Sequence, residues 1–260
     1  MAIQEISISS FSDYLDTIKE LTSDWKLDKG VKPYFRGQSD GSKPPLPRLF
    51  RKGGAENERD LTSFFKRRAR MYTERGIPED SHARQLSLMQ HVGLPTRLLD
   101  WTESAGAGLF FAVHEREELD AVVWLLNPIE LNKLSAIKGP PASNKGPVKK
   151  SYALAFRVDA PEEPPEYPIA VAPTEVHIRI TAQCGRFTIH GKDTRSFVDQ
   201  FRDHALSSDG YLVKLVIPWL PRDAPRDAIR KDLELLGISY STLFPDLDGL
   251  ARELRDTFAP

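Results

Sequence analysis

Gln90-His91-Val92-Gly93-Leu94-Pro95-Thr96-Arg97-Leu98-Leu99-Asp100-Trp101-Thr102-Glu103-Ser104 holds a helix end, a strand and a helix entrance in one run. Gly93 and Pro95 stop a helix that begins near Asp80, glycine at its end and proline just beyond. Thr96 to Trp101 (TRLLDW) then reads as a buried strand. Ser104 or Thr102 caps a helix from Ser104 to His114, in which Leu109, Phe110, Phe111 and Val113 pack behind Ala105, Gly106, Ala107 and Gly108. Glycines cost a helix stability, so these imply close approach of a strand or a ligand. Strands and helices that do not alternate strictly favour an α+β fold, a mixed or antiparallel central sheet flanked by helices.

Upstream, Phe11, Tyr14, Leu15, Ile18, Leu21 and Trp25 recur at helical spacing, with Ser10 or Ser12 as N-cap. Val31 to Gln38 (VKPYFRGQ) reads as a short strand running into a proline-rich loop. Glu56 to Arg75 is a helix with Leu61, Phe64, Phe65, Ala69 and Tyr72 inside and Arg59, Lys66, Arg67, Arg68, Arg70 and Arg75 as a solvated charge run. Downstream, Ala121 to Leu126 (AVVWLL) is a central strand. Leu154–Val158, Val176–Thr181, Arg186–His190 and Leu212–Ile217 are further strands. Arg179 to Gly191 reads as a hairpin turning at Gly185, and Arg226–Leu236 and Asp246–Phe258 as helices. The expected layout is one domain: a packing helix in residues 1–30, the densest motifs in 31–126, and the rest of the same domain in 127–260.

The chain has 260 residues, 28% charged and 40% hydrophobic, enough to bury a full core. A net charge of −1 gives no global basic field. The one cysteine, Cys184, forms no internal disulfide or thiolate metal site, and nothing near it marks an activated thiolate. The six histidines lack ligand spacing, so no metal is expected. No apolar run approaches the roughly 18 residues of a membrane helix. A cytoplasmic protein of bacterial or phage type, without a membrane partner, is the expectation.

Two segments concentrate chemistry. Tyr34-Phe35-Arg36-Gly37 ends a strand on a guanidinium suited to phosphate or carboxylate, beside a glycine that lets backbone come close. In the quoted run, Asp100 sits in an apolar strand, where a carboxylate is costly unless paired, with Arg97 or Arg36 as partner. His91, Thr96, Arg97, Thr102 and Ser104 crowd round it. Further on, Gln183 orients a ligand or satisfies turn backbone. P-loop, dinucleotide-fold, zincin and hydrolase-elbow motifs are missing.

These residues resemble the FRG domain family. The likeness runs through Phe35-Arg36-Gly37-Gln38, Pro47-Arg48-Leu49, Gln90-His91, Gly93 to Thr102, Ser104 and Leu109-Phe110-Phe111-Ala112. It continues in Gln183-x-Gly185-x-Phe187 and Thr242 to Leu247. Gly108 stands where the family usually has alanine, which implies altered packing. The order of motifs is similar, more remotely, to the arginine, serine and glutamate motifs of ADP-ribosyltransferases. That second resemblance implies NAD as substrate, held at phosphate and ribose by Arg36, with Thr102 or Ser104 in the nicotinamide pocket. Tyr34, Gly37, His91, Thr96 and Arg97 would complete the binding site. The family's catalytic glutamate has no match in place; Glu175, Gln183 or Asp100 would have to serve.

Three functions follow as expectations. One is an NAD-using transferase or glycohydrolase, which requires Arg36, His91, Asp100 and Ser104 to converge on a pocket. Another is a binding module for nucleotide or nucleic acid, using Arg67, Arg68, Arg70, Lys145, Lys149 and Lys150 on phosphates. The third is a protein-interaction domain in which Arg36 and Asp100 belong to a buried polar network.

Overall fold

Every residue of Ala121–Leu126 is buried. Ala121, Val123 and Leu125 enter one core and Val122, Trp124 and Leu126 another, as period-two side chains do on a strand covered on both faces. The structure, a computed structural model, describes residues 3–69, 71–72, 82–115, 118–137, 141, 155–157, 165–173, 178–202, 209–220 and 224–259. Its strands are β1 (Gln4–Ser7), β2 (Tyr34–Gln38), β3 (Leu98–Thr102), β4 (Ala121–Leu126), β5 (Ile169–Val171), β6 (Gly185–Ile189) and β7 (Leu212–Ile217). Its α-helices are α1 (Phe11–Thr22), α2 (Glu58–Ala69), α3 (His82–His91), α4 (Ala105–Val113), α5 (Pro128–Lys133), α6 (Ile178–Ala182), α7 (Phe197–Phe201), α8 (Ala224–Leu235), α9 (Tyr240–Leu243) and α10 (Leu247–Phe258).

The fold is α+β, with one mixed sheet in the order β1-β7-β4-β2-β3-β6-β5. Among the described residues only β1 and β7 run parallel; the other pairs are antiparallel. Helices α1, α4 and α8 cover one face, where Tyr14, Leu109, Val113, Ile229 and Leu233 are buried. Phe197 and Phe201 of α7 and Leu131 of α5 pack on Tyr34, Trp101 and Trp124 of the other. Helices α2 and α3 lie over β5 and β6.

Two features position the site. The first is a split in the sheet. Whereas β2 matches β4, and β3 matches β6, along whole strands, β2 and β3 meet only at Phe35 with Thr102. Beyond that pair Arg36 Nη1 donates to the main-chain oxygen of Asp100 at 2.8 Å. The second is the contact of α4 on β2. A Cβ at Gly37 would lie 2.0 Å from the Gly108 carbonyl oxygen and 2.6 Å from the Ala112 nitrogen. The glycine of the Arg-Gly pair thus serves close approach of a helix. Ser104 caps that helix, its hydroxyl accepting from Ala107 N at 3.2 Å.

Several expectations are corrected. Of Val176–Thr181, expected as a strand, residues 176–177 lie outside the described residues, and residues 178–181 belong to α6. Gln183 N donates to Arg179 O at 3.0 Å, and tertiary contacts override the β-branched Ile-x-Ile-Thr pattern. The expected hairpin is therefore helix, turn and strand. Its left-handed turn residue is Cys184 (φ 48), and Gly185 opens β6. Ala155 and Phe156, expected in a strand, are helical, and the rest of that stretch except Arg157 lies outside the described residues. Phe64 and Tyr72 are exposed, and Arg67 sits 4.6 Å over the Phe64 ring. Strands β1 and β5 lie outside the segments expected as strands.

Candidate functional site

The split between β2 and β3 opens into a cleft of about 600 Å³. Its floor carries Arg36, Asp100 and Thr102, and Arg51 enters from a 3-10 turn at Arg48–Lys52. The opposite wall is aromatic: Phe111 of α4, Tyr240 of α9 and Phe244, whose rings meet edge-on or tilted. Gln183 closes one end. Its carbonyl accepts from Thr102 Oγ1 at 2.6 Å, and its amide Nε2 donates to Leu243 O at 3.1 Å.

The charges divide into engaged and uncommitted groups. Lys43 Nζ meets Asp40 at 2.6 Å, which holds the Asp40 carboxyl below its usual range. Asp100 is exposed, and its carboxylate accepts from Gln90 Nε2 at 2.9 Å; it is not the buried ion-pair member expected. Arg36 touches only the Asp100 main chain, and its Nε is buried without a hydrogen-bond partner among the described residues. Burial pushes its pKa down; the Asp100 charge opposes this, and nearby Arg51 adds to it. Arg51 Nε donates to the Leu46 carbonyl at 3.1 Å, so among the described residues neither guanidinium of the cleft is hydrogen-bonded to a carboxylate.

At the mouth, Tyr240 Oη is hydrogen-bonded to His114 Nε2, and Arg252 Nη2 lies 3.1 Å from the same nitrogen. Arg252 also lies over the Tyr240 ring, 4.3 Å from its centroid. A nitrogen facing a permanent donor acts as acceptor, so His114 is the neutral imidazole. Burial first, and then the Arg252 charge, push its pKa down to about 4.

Residues 32–121 match the model of the FRG domain family. The chain carries an FRG domain. No curated protein and no solved structure matches the chain. The FRG domain supplies Arg36, Arg51, Asp100, Thr102, Phe111 and His114, whereas Gln183, Tyr240, Phe244 and Arg252 come from beyond the match.

Of the residues singled out in sequence, the cleft gathers Arg36, Gly37, Asp100, Thr102 and Gln183. The other candidates lie elsewhere. Tyr34 is buried against Trp101 and Trp124, and Thr96 is buried with its hydroxyl donating to Gln90 Oε1 at 2.6 Å. Arg97 is buried and paired with Glu58 of α2. His91 is exposed at the end of α3, and Ser104 is spent as a cap, so neither lines the cleft with Arg36 and Asp100, and the convergence of all four expected of an NAD-using enzyme is not met. Glu175 lies outside the described residues. Arg51, His114, Tyr240 and Arg252 were missed; His114, a polar residue straight after the apolar run of the FRG domain's helix, was the available signal.

A stability prediction follows from His114. Its folded pKa is below the ordinary 6.5, so between about 6.5 and 4 the unfolded chain binds the proton and the folded chain does not. The contribution is complete above 6.5 and is lost as pH falls through this window. Buried His190, lowered to about 3, acts in the same direction. The melting temperature is expected to decline from pH 6.5 to 4, and less steeply in His114→Gln. Parallel slopes for the two proteins would reject this origin.

Proposed function

We propose that the cleft binds a phosphate-bearing nucleotide, with NAD as the first ligand to test. The observation that carries this is the pair of guanidinium groups, Arg36 and Arg51, on the floor of a cleft walled by Phe111, Tyr240 and Phe244. Guanidinium groups take phosphate oxygens in bidentate fashion, and aromatic faces take a planar base. A volume near 600 Å³ falls in the range of small-molecule sites.

If the bound nucleotide reacts, the chemistry is ADP-ribosyl transfer or glycohydrolysis. The bond between ribose and nicotinamide breaks, nicotinamide leaves with the bonding electrons, and water or an acceptor adds to the ribose. Positive charge grows on the ribose, and a carboxylate beside it lowers the barrier. Asp100 is the cleft acid whose own main-chain oxygen accepts the anchoring arginine's hydrogen bond. Gln183 carries no charge for this task.

Thermal shift and nicotinamide release, measured with NAD, test the reading. Arg51 is exposed and its Nε bonds an exposed carbonyl, that of Leu46, so Arg51→Ala is expected to keep the fold and to weaken binding at least about tenfold, the scale of one lost charge-assisted hydrogen bond. Asp100→Asn is expected to bind NAD and release no nicotinamide. Absence of any shift with NAD, ADP or inorganic phosphate would overturn the nucleotide site.

A second reading rests on the 2.8 Å bond from Arg36 to the Asp100 carbonyl, which ties the two halves of the sheet. In that case Arg36→Gln lowers stability and Arg51→Ala changes nothing. For a nucleic-acid surface, Arg70, Lys145, Lys149 and Lys150 lie outside the described residues.

A further inference from the structure

Helix α10 is inside out. The side it turns to the protein is polar or bare: Gly249 is buried against the Phe244 carbonyl, the Glu253 carboxylate accepts from Ser239 Oγ at 2.6 Å and Ser241 N at 2.8 Å, and Arg252 reaches Tyr240. Leu247, Leu250, Leu254 and Phe258 recur at steps of three, four and four, which places them on one stripe. They remain 82%, 43%, 47% and 78% exposed. An exposed helix stripe of three leucines and a phenylalanine presents on the order of 400 Å² of apolar surface, the size that marks an interaction site.

The charges beside the stripe select its occupant. Asp248, 3.6 Å from Arg179 Nη2 yet 95% exposed at the side chain, and exposed Arg255 stand seven residues apart on the same flank, one in the first turns and one in the last. An antiparallel two-fold axis sets residue i of one helix against the reversed sequence of the other on the same flank. Asp248 then faces Arg255 of the second helix, and the contact repeats by symmetry. In that register Leu250 falls within one residue of Leu254 of the second helix. A parallel pair would put these charges on opposite flanks, at the same level as themselves.

We propose that α10 pairs antiparallel with α10 of a second copy of this chain. Arg252 points away from the stripe toward the cleft, so the cleft stays open in the pair. One helix pair lies at the small end of interfaces, so the dimer is reversible.

Sedimentation velocity on the 260-residue chain, from about 1 µM to about 1 mM, tests this. Wild type is expected to pass from monomer to dimer with concentration. Leu254→Glu is expected to stay monomeric throughout with an unchanged melting temperature. Asp248→Arg and Arg255→Asp are each expected to weaken the dimer at least about threefold, and the double exchange to restore it. A wild-type chain that stays monomeric overturns the proposal and leaves the stripe to another partner. A dimer indifferent to Leu254→Glu, or a double exchange without rescue, overturns it equally.

Discussion

Gly37→Ala is expected to lose about 3–5 kcal/mol of stability, or to fail to accumulate as folded protein. The added Cβ would lie 2.0 Å from the Gly108 oxygen, 2.6 Å from the Ala112 nitrogen and 2.9 Å from the Phe111 carbonyl carbon. All three are main-chain atoms of α4, so no rotamer change relieves the clash. Helix α4 would have to retreat from β2, and its own buried side chains Ala107, Leu109, Ala112 and Val113 would lose their packing together. The expected cost is a large part of the 5–15 kcal/mol that holds an ordinary domain. Gly108→Ala is the graded comparison. Its Cβ would meet the Phe35 Cβ at 2.8 Å, one side-chain atom in place of three backbone atoms, so a loss of about 1–2 kcal/mol is expected. Urea denaturation gives both values. A Gly37→Ala midpoint equal to wild type would mean that α4 does not lie on β2 as described.

That contact also explains what the sequence makes legible. Strands β4 and β7 announce themselves by residues that suit burial on both faces, and α1 by its apolar spacing and its cap at Ser10. Gly37 and Gly108 are visible as glycines that need a reason. Whether that reason is a strand or a ligand depends on which segment crosses them, and the crossing joins residues 37 and 108. Strand β1 was hidden because Gln-Glu-Ile-Ser is short and largely exposed and gains its identity only by pairing with β7. Asp100 misled for the opposite reason. Its neighbours are buried, but β3 sits at the split in the sheet, so this exposed position, with Thr102 beyond it, looks into the cleft. Half the cleft was beyond reach on similar grounds. Tyr240 and Arg252 belong to helices that read as ordinary packing segments, and only the fold brings them to His114.

Arg97 separates most clearly what a motif suggests from what packing requires. Its place in the Thr96-Arg97-Leu98-Leu99-Asp100 run suggests a ligand anchor, yet its guanidinium is buried against Glu58. Nε donates to Oε1 at 2.6 Å, Nη2 pairs with Oε2, and Nη1 donates to the His190 carbonyl at 3.3 Å. The pair joins α2 to the residue just before β3, and both partners are below 10% exposed. Arg97→Met leaves the Glu58 carboxylate buried without its partner, and a loss of about 3–5 kcal/mol is expected. Glu58→Met strands the guanidinium and is expected to cost a similar amount. The double replacement removes both charges and keeps side chains of comparable length. It is expected to recover most of the loss, because desolvating two ions offsets much of their attraction. A double-mutant cycle by urea denaturation measures this, with a coupling of at least about 2 kcal/mol expected. Losses that simply add would place the two side chains apart. Nucleotide binding supplies the complementary reading: the double variant, once folded, should bind as wild type does, because the anchors in the cleft are Arg36 and Arg51. Loss of binding in a stably folded double variant would instead return Arg97 to the site.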